Sequence, residues 1–160
     1  EEAVANFASA CSRKLKQQNS CCGAVTVFAY TSRFRTDVPR RAINHTSVMT
    51  VPTNDLRELV STAVDALRSQ WPVDTCCFKK AGVIVWDICP DTAVQTYLFD
   101  KVDRAKQARL AAAIDCINRK NGYGMVKIAV QGTGNDWHLK HEHASQRYTT
   151  DLNEIIKVKA

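Results

Sequence analysis

Residues 51–72 read VPTNDLRELVSTAVDALRSQWP. Leu56, Leu59, Val60, Ala63, Val64, Leu67 and Trp71 recur at the three- and four-residue spacing of one helical face. Pro52-Thr53-Asn54 stops whatever precedes and offers a capping side chain, and Pro72 ends the run. The stretch predicts a helix with one apolar face, which needs a sheet or another helix to bury it. Upstream, 43–51 alternates imperfectly as a strand, and 24–31 is a β-branched and aromatic strand. Between them, 32–41 is a basic loop holding Pro39. Val4, Phe7, Ala8, Cys11 and Leu15 form a stripe that predicts a helix over 2–17, broken by Asn19-Ser20 and Gly23. Downstream, 79–88 reads as a third strand, with Gly82 allowing close approach.

The order helix, strand, strand, helix, strand predicts an α+β two-layer sandwich, with two helices on one face of an antiparallel sheet. It is a ferredoxin-like βαββαβ unit without its opening strand, so the sheet is expected to be incomplete. The chain begins at Glu1 without methionine, which fits a piece of something longer. Residues 1–90 form this first unit and 91–101 a linker. A small α/β unit is expected over 102–160: a helix over 102–119 marked by Leu110, Ala113, Ile114 and Ile117, a strand over 125–130, a turn at Gly132 and Gly134, and a short strand over 137–140.

The 160 residues suffice for one ordinary domain or two small ones, and the 45% apolar content is that of a globular chain. No apolar run is long enough to span a membrane, and no signal peptide is visible. The net charge of +6 is unevenly spread. Within 13–41, Arg13, Lys14, Lys16, Arg33, Arg35, Arg40 and Arg41 face only Asp37. That local excess suits a phosphate backbone or, equally, a solvated basic loop. The seven cysteines include adjacent pairs at Cys21-Cys22 and Cys76-Cys77 and no Cys-x-x-Cys. Mostly buried free thiols, Cys11, Cys89 and Cys116 among them, explain the set better than a zinc ribbon or a redox motif.

Chemistry-bearing clusters are few. His138, His141 and His143 match no helical zinc motif, and a polar edge or loop accounts for them better than a metal site. Asp151 and Glu154 fit a final short turn. No nucleophilic triad, phosphate-cradling glycine loop or paired carboxylate constellation occurs, so no catalytic residue and no metal ligand is assigned. Lys79 and Lys80 open a strand and must project to opposite faces. They either flank a phosphate backbone or guard a sheet edge against aggregation. Gln95-Thr96-Tyr97-Leu98-Phe99 has the form Gln-x-x-Leu-Phe in a connector. Gln95 would fix register and Leu98 and Phe99 would anchor in a partner's apolar pocket; alternatively, Tyr97, Leu98 and Phe99 cover the protein's own core.

Several pieces taken in order carry a resemblance: Thr31-Ser32-Arg33-Phe34, Val51-Pro52-Thr53-Asn54-Asp55, Lys80-Ala81-Gly82-Val83, Gln95 to Asp100, Gln131-Gly132 with Trp137-His138-Leu139-Lys140, and Ser145-Gln146-Arg147-Tyr148-Thr149-Thr150. Over essentially its whole length the chain resembles the C-terminal portion of UmuC-type Y-family translesion DNA polymerases, which act in SOS mutagenesis and DNA damage tolerance. The resemblance implies that 1–90 is most of the DNA-gripping little finger, that Gln95, Leu98 and Phe99 bind the sliding clamp, and that 102–160 is a short terminal domain. It implies DNA contacts by Lys79 and Lys80, with Arg33 and Arg35 as further candidates. It also implies primer–template DNA, the processed UmuD dimer and the RecA filament as partners, and the bacterial cytoplasm, on the nucleoid, as the location. No cofactor is expected in this piece; the parent polymerase's magnesium would sit in a palm domain absent here. Two positions depart from the family's pattern: Gln146 stands where a proline is usual, and Thr96 where leucine often follows the glutamine. A different class of reading is a standalone ferredoxin-like RNA-binding or regulatory domain, with Phe28 and Tyr30 stacking bases on the sheet. A third is a small metal enzyme using the three histidines.

Overall fold

A computed structural model describes residues 1–72, 78–122, 124–134, 144–156 and 158. The first helix, α1, runs Glu2–Gln17. Val4, Ala8 and Leu15 are buried along its stripe, while Phe7 and Cys11 are half-buried. Lys14 and Lys16 sit in the last turn, where the helix dipole favours cations. Asn19 then takes a left-handed backbone (φ 51°) that turns the chain straight into β1, Ser20–Thr31. This strand therefore starts four residues ahead of the expected 24. Gly23 lies inside it rather than breaking the chain, with the Asp87 carboxylate of the third strand against the side where a Cβ would stand.

The second strand, β2, covers Ala42–Thr53 and pairs antiparallel with β1 in the register Thr26↔Thr46, with a bulge between Cys22 and Ala24. Pro52 is accommodated because it lies in the stretch 49–52 of β2 that has no register partner on β1, on an edge strand, so its missing N–H costs no ladder bond. The second helix, α2, is Leu56–Ser69. Its cap is Asp55 rather than Asn54: the Asp55 carboxylate accepts from the backbone N–H of Arg57 (2.9 Å) and Glu58 (3.1 Å). Asn54 is used elsewhere, donating to the Ser20 carbonyl at 3.0 Å. Trp71 lies beyond the helix end, 49% exposed, with its ring 5.2 Å from that of Phe78. The third strand, β3, Phe78–Pro90, runs antiparallel along β1 from Ser20↔Pro90 to Thr31↔Phe78.

The result is a three-stranded antiparallel sheet in the order β2-β1-β3, with α1 and α2 on one face, an α+β ferredoxin-like fold of the little-finger type. Among the described residues no fourth strand joins it. The core lies between the layers: Leu15, Leu59 and Val60 from the helices meet Val25, Val27 and Ala29 from β1. Burying each large aliphatic side chain there contributes roughly 1.5–3 kcal/mol.

The third helix, α3, covers Arg104–Asn121 and is capped by Asp103, which accepts from Lys106 N at 2.9 Å. It is lightly packed, with Leu110 and Ile117 both substantially exposed. The strand expected over 125–130 does not form. A short apolar run has no ladder unless a sheet edge lies beside it, and none does here among the described residues. Its polar groups find side chains instead: Val126 N donates to Asn118 Oδ1 (2.8 Å) and Asn118 Nδ2 donates to the Val126 carbonyl (3.2 Å). The chain then makes a 3₁₀ turn at Ala129–Gln131, laying Ile128 and Val130 against the sandwich core. Buried Gln131 exchanges hydrogen bonds with Asn6 of α1: Asn6 Nδ2 donates to its carbonyl (2.9 Å) and Gln131 Nε2 donates back to Asn6 Oδ1 (3.3 Å). The expected strand at 137–140 lies outside the described residues. The final short turn forms at Leu152–Glu154, with Asp151 accepting from Asn153 N at 3.1 Å.

Candidate nucleic-acid interface and docking peptide

Strand alternation decides which side chains reach the open face of the sheet. On β1 they are Ala24, Thr26, Phe28 and Tyr30, since Val25, Val27 and Ala29 point into the core. Their register partners carry the face outward to Ala42, Asn44, Thr46 and Val48 on β2 and to Lys80, Gly82, Ile84 and Trp86 on β3. None of these positions is acidic.

Lys80 stands on this open face with its Nζ 5.8 Å from the centre of the Tyr30 ring, within cation–π range. Lys79 is exposed and alternates to the other side. The basic loop 32–41 leaves from Thr31 at the same end of the sheet, because Thr31 is paired with Phe78. The loop's base is closed by Thr31, whose backbone N–H donates to the Arg41 carbonyl (3.1 Å) while its Oγ1 accepts from Arg41 N (3.0 Å). The structure therefore brings Lys79, Lys80, Arg33 and Arg35 to one end of the molecule. Arg33 is exposed. Arg35 forks onto Asp37, with its Nε 3.0 Å from Asp37 Oδ1. Arg35's hydrogen bonds hold the Asp37 carboxyl below the usual carboxylate range. Arg35 thus offers a partly neutralised charge. Trp86 carries no motif signal in the sequence; its place on the open face follows only from alternation with Lys80 along β3.

Beyond β3 the connector runs through a 3₁₀ turn at Asp91–Ala93 into Gln95 to Phe99. Leu98 is 89% exposed and Phe99 71%, so these side chains do not cover the core. Gln95 is also exposed, and Tyr97 packs edge-on against Phe99 at 5.7 Å. A turn bond from Asp100 N to the Tyr97 carbonyl (3.0 Å) shapes the tip. Both ends of the connector are tied down. Asp91 N donates to the Asn19 carbonyl (3.0 Å), and Arg104 bridges Asp100 (2.6 Å) to Glu58 of α2 (2.8 Å). The Arg104 hydrogen bond also holds the Asp100 carboxyl below the usual aspartate range.

The remaining candidates divide. His138, His141 and His143 lie outside the described residues, as do Cys76 and Cys77. Among the described residues no group of three His, Cys, Asp or Glu side chains is placed to hold a metal ion. Cys11, Cys21, Cys22, Cys89 and Cys116 are free thiols. Burial pushes the Cys22 thiol up to about 12. Cys116 departs from the expectation of burial: it is exposed, because α3 offers most of its surface to solvent. Among the described residues no helix is long and apolar enough to cross a membrane.

Residues 1–98 match the family model described as the impB/mucB/samB family C-terminal domain. Residues 108–158 match a domain of unknown function, DUF4113. Among individual proteins, the chain is 32% identical over 159 residues to Protein UmuC of Salmonella typhimurium, covering 99% of this chain and 37% of that relative. It is 32% identical over 155 residues to Protein ImpB of Salmonella typhimurium, covering 96% and 36% respectively. With Protein MucB of Escherichia coli it shares 33% identity over 156 residues, covering 97% and 36%. The chain thus spans little more than a third of the length of these relatives.

Proposed function

The chain belongs to the impB/mucB/samB C-terminal domain family, and from that premise we propose that it is the non-catalytic, DNA-gripping and clamp-tethering region of an error-prone translesion DNA polymerase. In this reading 1–90 is the little finger, 91–101 the tether and 102–160 a separate terminal unit. The observation that carries it is the connector: a pair of large apolar side chains, Leu98 and Phe99, held out in solvent between two anchored ends. Such exposure costs water ordering unless a partner covers it. A pocket on a ring encircling DNA suits a short apolar hook. Each anchor would contribute roughly 1.5–3 kcal/mol on burial, and the cost of ordering the peptide leaves an affinity on the order of micromolar. A weak tether still works there, because it keeps the polymerase at high effective concentration near the primer end.

The second support is the basic end of the sheet. Lys79 and Lys80, with Arg33 and the partly neutralised Arg35, offer contacts to phosphates, which position a duplex without reading its sequence. A polymerase that crosses lesions must hold any primer–template. Polymerisation itself, its magnesium, any pairing with the processed UmuD dimer or the RecA filament, a role in SOS mutagenesis, and residence on the bacterial nucleoid belong in this proposal to the whole protein.

The test is a binding assay of the 160-residue chain against sliding clamp and primer–template duplex at two salt concentrations. Leu98→Ala with Phe99→Ala is expected to abolish clamp binding and leave the melting temperature unchanged. Lys79→Ala with Lys80→Ala is expected to weaken duplex binding and lower the salt slope by about 2. Clamp binding equal to wild type, or an unchanged salt slope, rejects the corresponding half of the proposal.

A further inference from the structure

The open face of the sheet carries more than charge. Phe28 and Tyr30 lie side by side on β1, ring centroids 6.2 Å apart and planes within 17°. Phe28 extends across β3 at Gly82: a Cβ there would come within 2.3 Å of Phe28 Cζ, so only glycine lets the ring rest on the neighbouring strand. Trp86 is 52% exposed on the same face. Its single donor is already satisfied, since Nε1 donates to Thr26 Oγ1 at 2.7 Å, and the Thr26 and Thr46 hydroxyls are themselves 2.7 Å apart. The indole is thus held in place without engaging its ring faces in that bond. Lys80 sits by Tyr30, and none of the register positions named above bears a carboxylate.

We infer that this face binds single-stranded DNA, stacking unpaired bases on Tyr30, Phe28 and Trp86 while Lys80 lies near the phosphates. In a duplex the bases are already stacked on one another; only an unpaired strand offers free base faces to stack on these rings. The charge argues in the same direction, since the register positions of this face carry a lysine and no carboxylate, which suits a polyanion better than a basic partner. The inference rests on the proposal that this module grips DNA, and it adds the unpaired strand beside a primer end to the duplex as a ligand.

The test measures anisotropy of labelled oligo-dT, a hairpin duplex and oligo-rU with the full 160-residue chain. Phe28→Leu with Tyr30→Leu, and separately Trp86→Leu, keep apolar cover while removing the aromatic faces. Each is expected to weaken oligo-dT binding about tenfold and to leave duplex binding within about twofold. Lys79→Ala with Lys80→Ala should weaken both. In a Trp71→Phe, Trp137→Phe background, oligo-dT should quench the remaining Trp86 fluorescence, a readout that needs no disruption of the face. Undiminished oligo-dT binding by the leucine variants, equal losses on both DNA probes, tighter binding of oligo-rU than oligo-dT, or unquenched Trp86 each overturns the inference. Wild-type chain that binds duplex but not oligo-dT overturns it alone; wild-type chain that binds neither overturns the DNA-gripping proposal as well.

Discussion

Helices α2 and α3 begin alike, each with an aspartate cap, and end in different worlds. α2 buries Leu59, Val60, Ala63, Val64, Ala66 and Leu67 in 14 residues. α3 is longer, at 18 residues, and its buried residue is polar: Gln107. α2 is held by area removed from water. α3 is held by polar ties, chiefly Arg104 to Glu58, Lys16 to Asp115 at 2.8 Å and the Asn118–Val126 pair. Partly exposed ion pairs of this kind contribute about 0–1 kcal/mol each. The two halves of the chain should therefore differ in stability, with the sandwich as the rigid part and the C-terminal part opening first.

Truncating one helix at a time breaks or sharpens that contrast. Leu59→Ala is expected to cost about 2–5 kcal/mol in urea unfolding, because Leu59 is only 1% exposed and its loss leaves a cavity in the core. Leu110→Ala, at a position 42% exposed, is expected to cost less than about 1 kcal/mol. Similar losses at both sites would mean that α3 is as integral to the core as α2. The caps offer a finer version. Asp55→Ala should cost about 1 kcal/mol of global stability. Asp103→Ala should instead lower amide protection within α3 alone and leave the urea midpoint nearly unchanged. A matching drop in the midpoint for both variants would erase the distinction.

The same contrast explains what could be read from the residues. The α2 stripe was legible because the apolar spacing is dense and its flanks are prolines; only Trp71 fell outside, left beyond the helix end to pack on Phe78. The cap fell just beyond the expected Pro52-Thr53-Asn54, at Asp55, since Asn54 and Asp55 are both good capping residues. The tie is broken by tertiary structure, where Asn54 is engaged with Ser20. The run 125–130 is short and mostly apolar, as a strand can be, yet nothing in the sequence says whether a sheet edge will be there to pair with it. At the candidate site, alternation alone sends Lys79 and Lys80 to opposite faces and applies equally to Trp86. The exposure of Leu98 and Phe99 was not legible, because a Leu-Phe pair looks the same whether it lies in a core or in solvent. Burial is set by the whole fold, and here the polar ties on either side of the connector keep it off the core.

The smallest expected effect concerns one of those ties. The Asp100 carboxyl is held below the ordinary aspartate value of 3.8, first by the Arg104 side-chain hydrogen bond and then by the backbone N–H of Val102. A carboxyl depressed in the folded state contributes stability that is fully present above its unfolded value. That contribution fades as pH falls through the lower folded value. The tie is therefore intact at neutral pH and should loosen only below about pH 4. In a carboxyl-carbon NMR titration, Asp100 should titrate below 3.8 in the wild-type chain and move up toward that value in Arg104→Ala. The Val102 amide should shift in step with it, since it donates to Asp100 Oδ1 at 3.0 Å. Asp37, depressed by its own hydrogen bond to Arg35, should not respond to Arg104→Ala and so reports any global change. An Asp100 that titrates at the ordinary value in the wild-type chain would leave the connector without its downstream anchor, and α3 without one of the few bonds that fix where it begins.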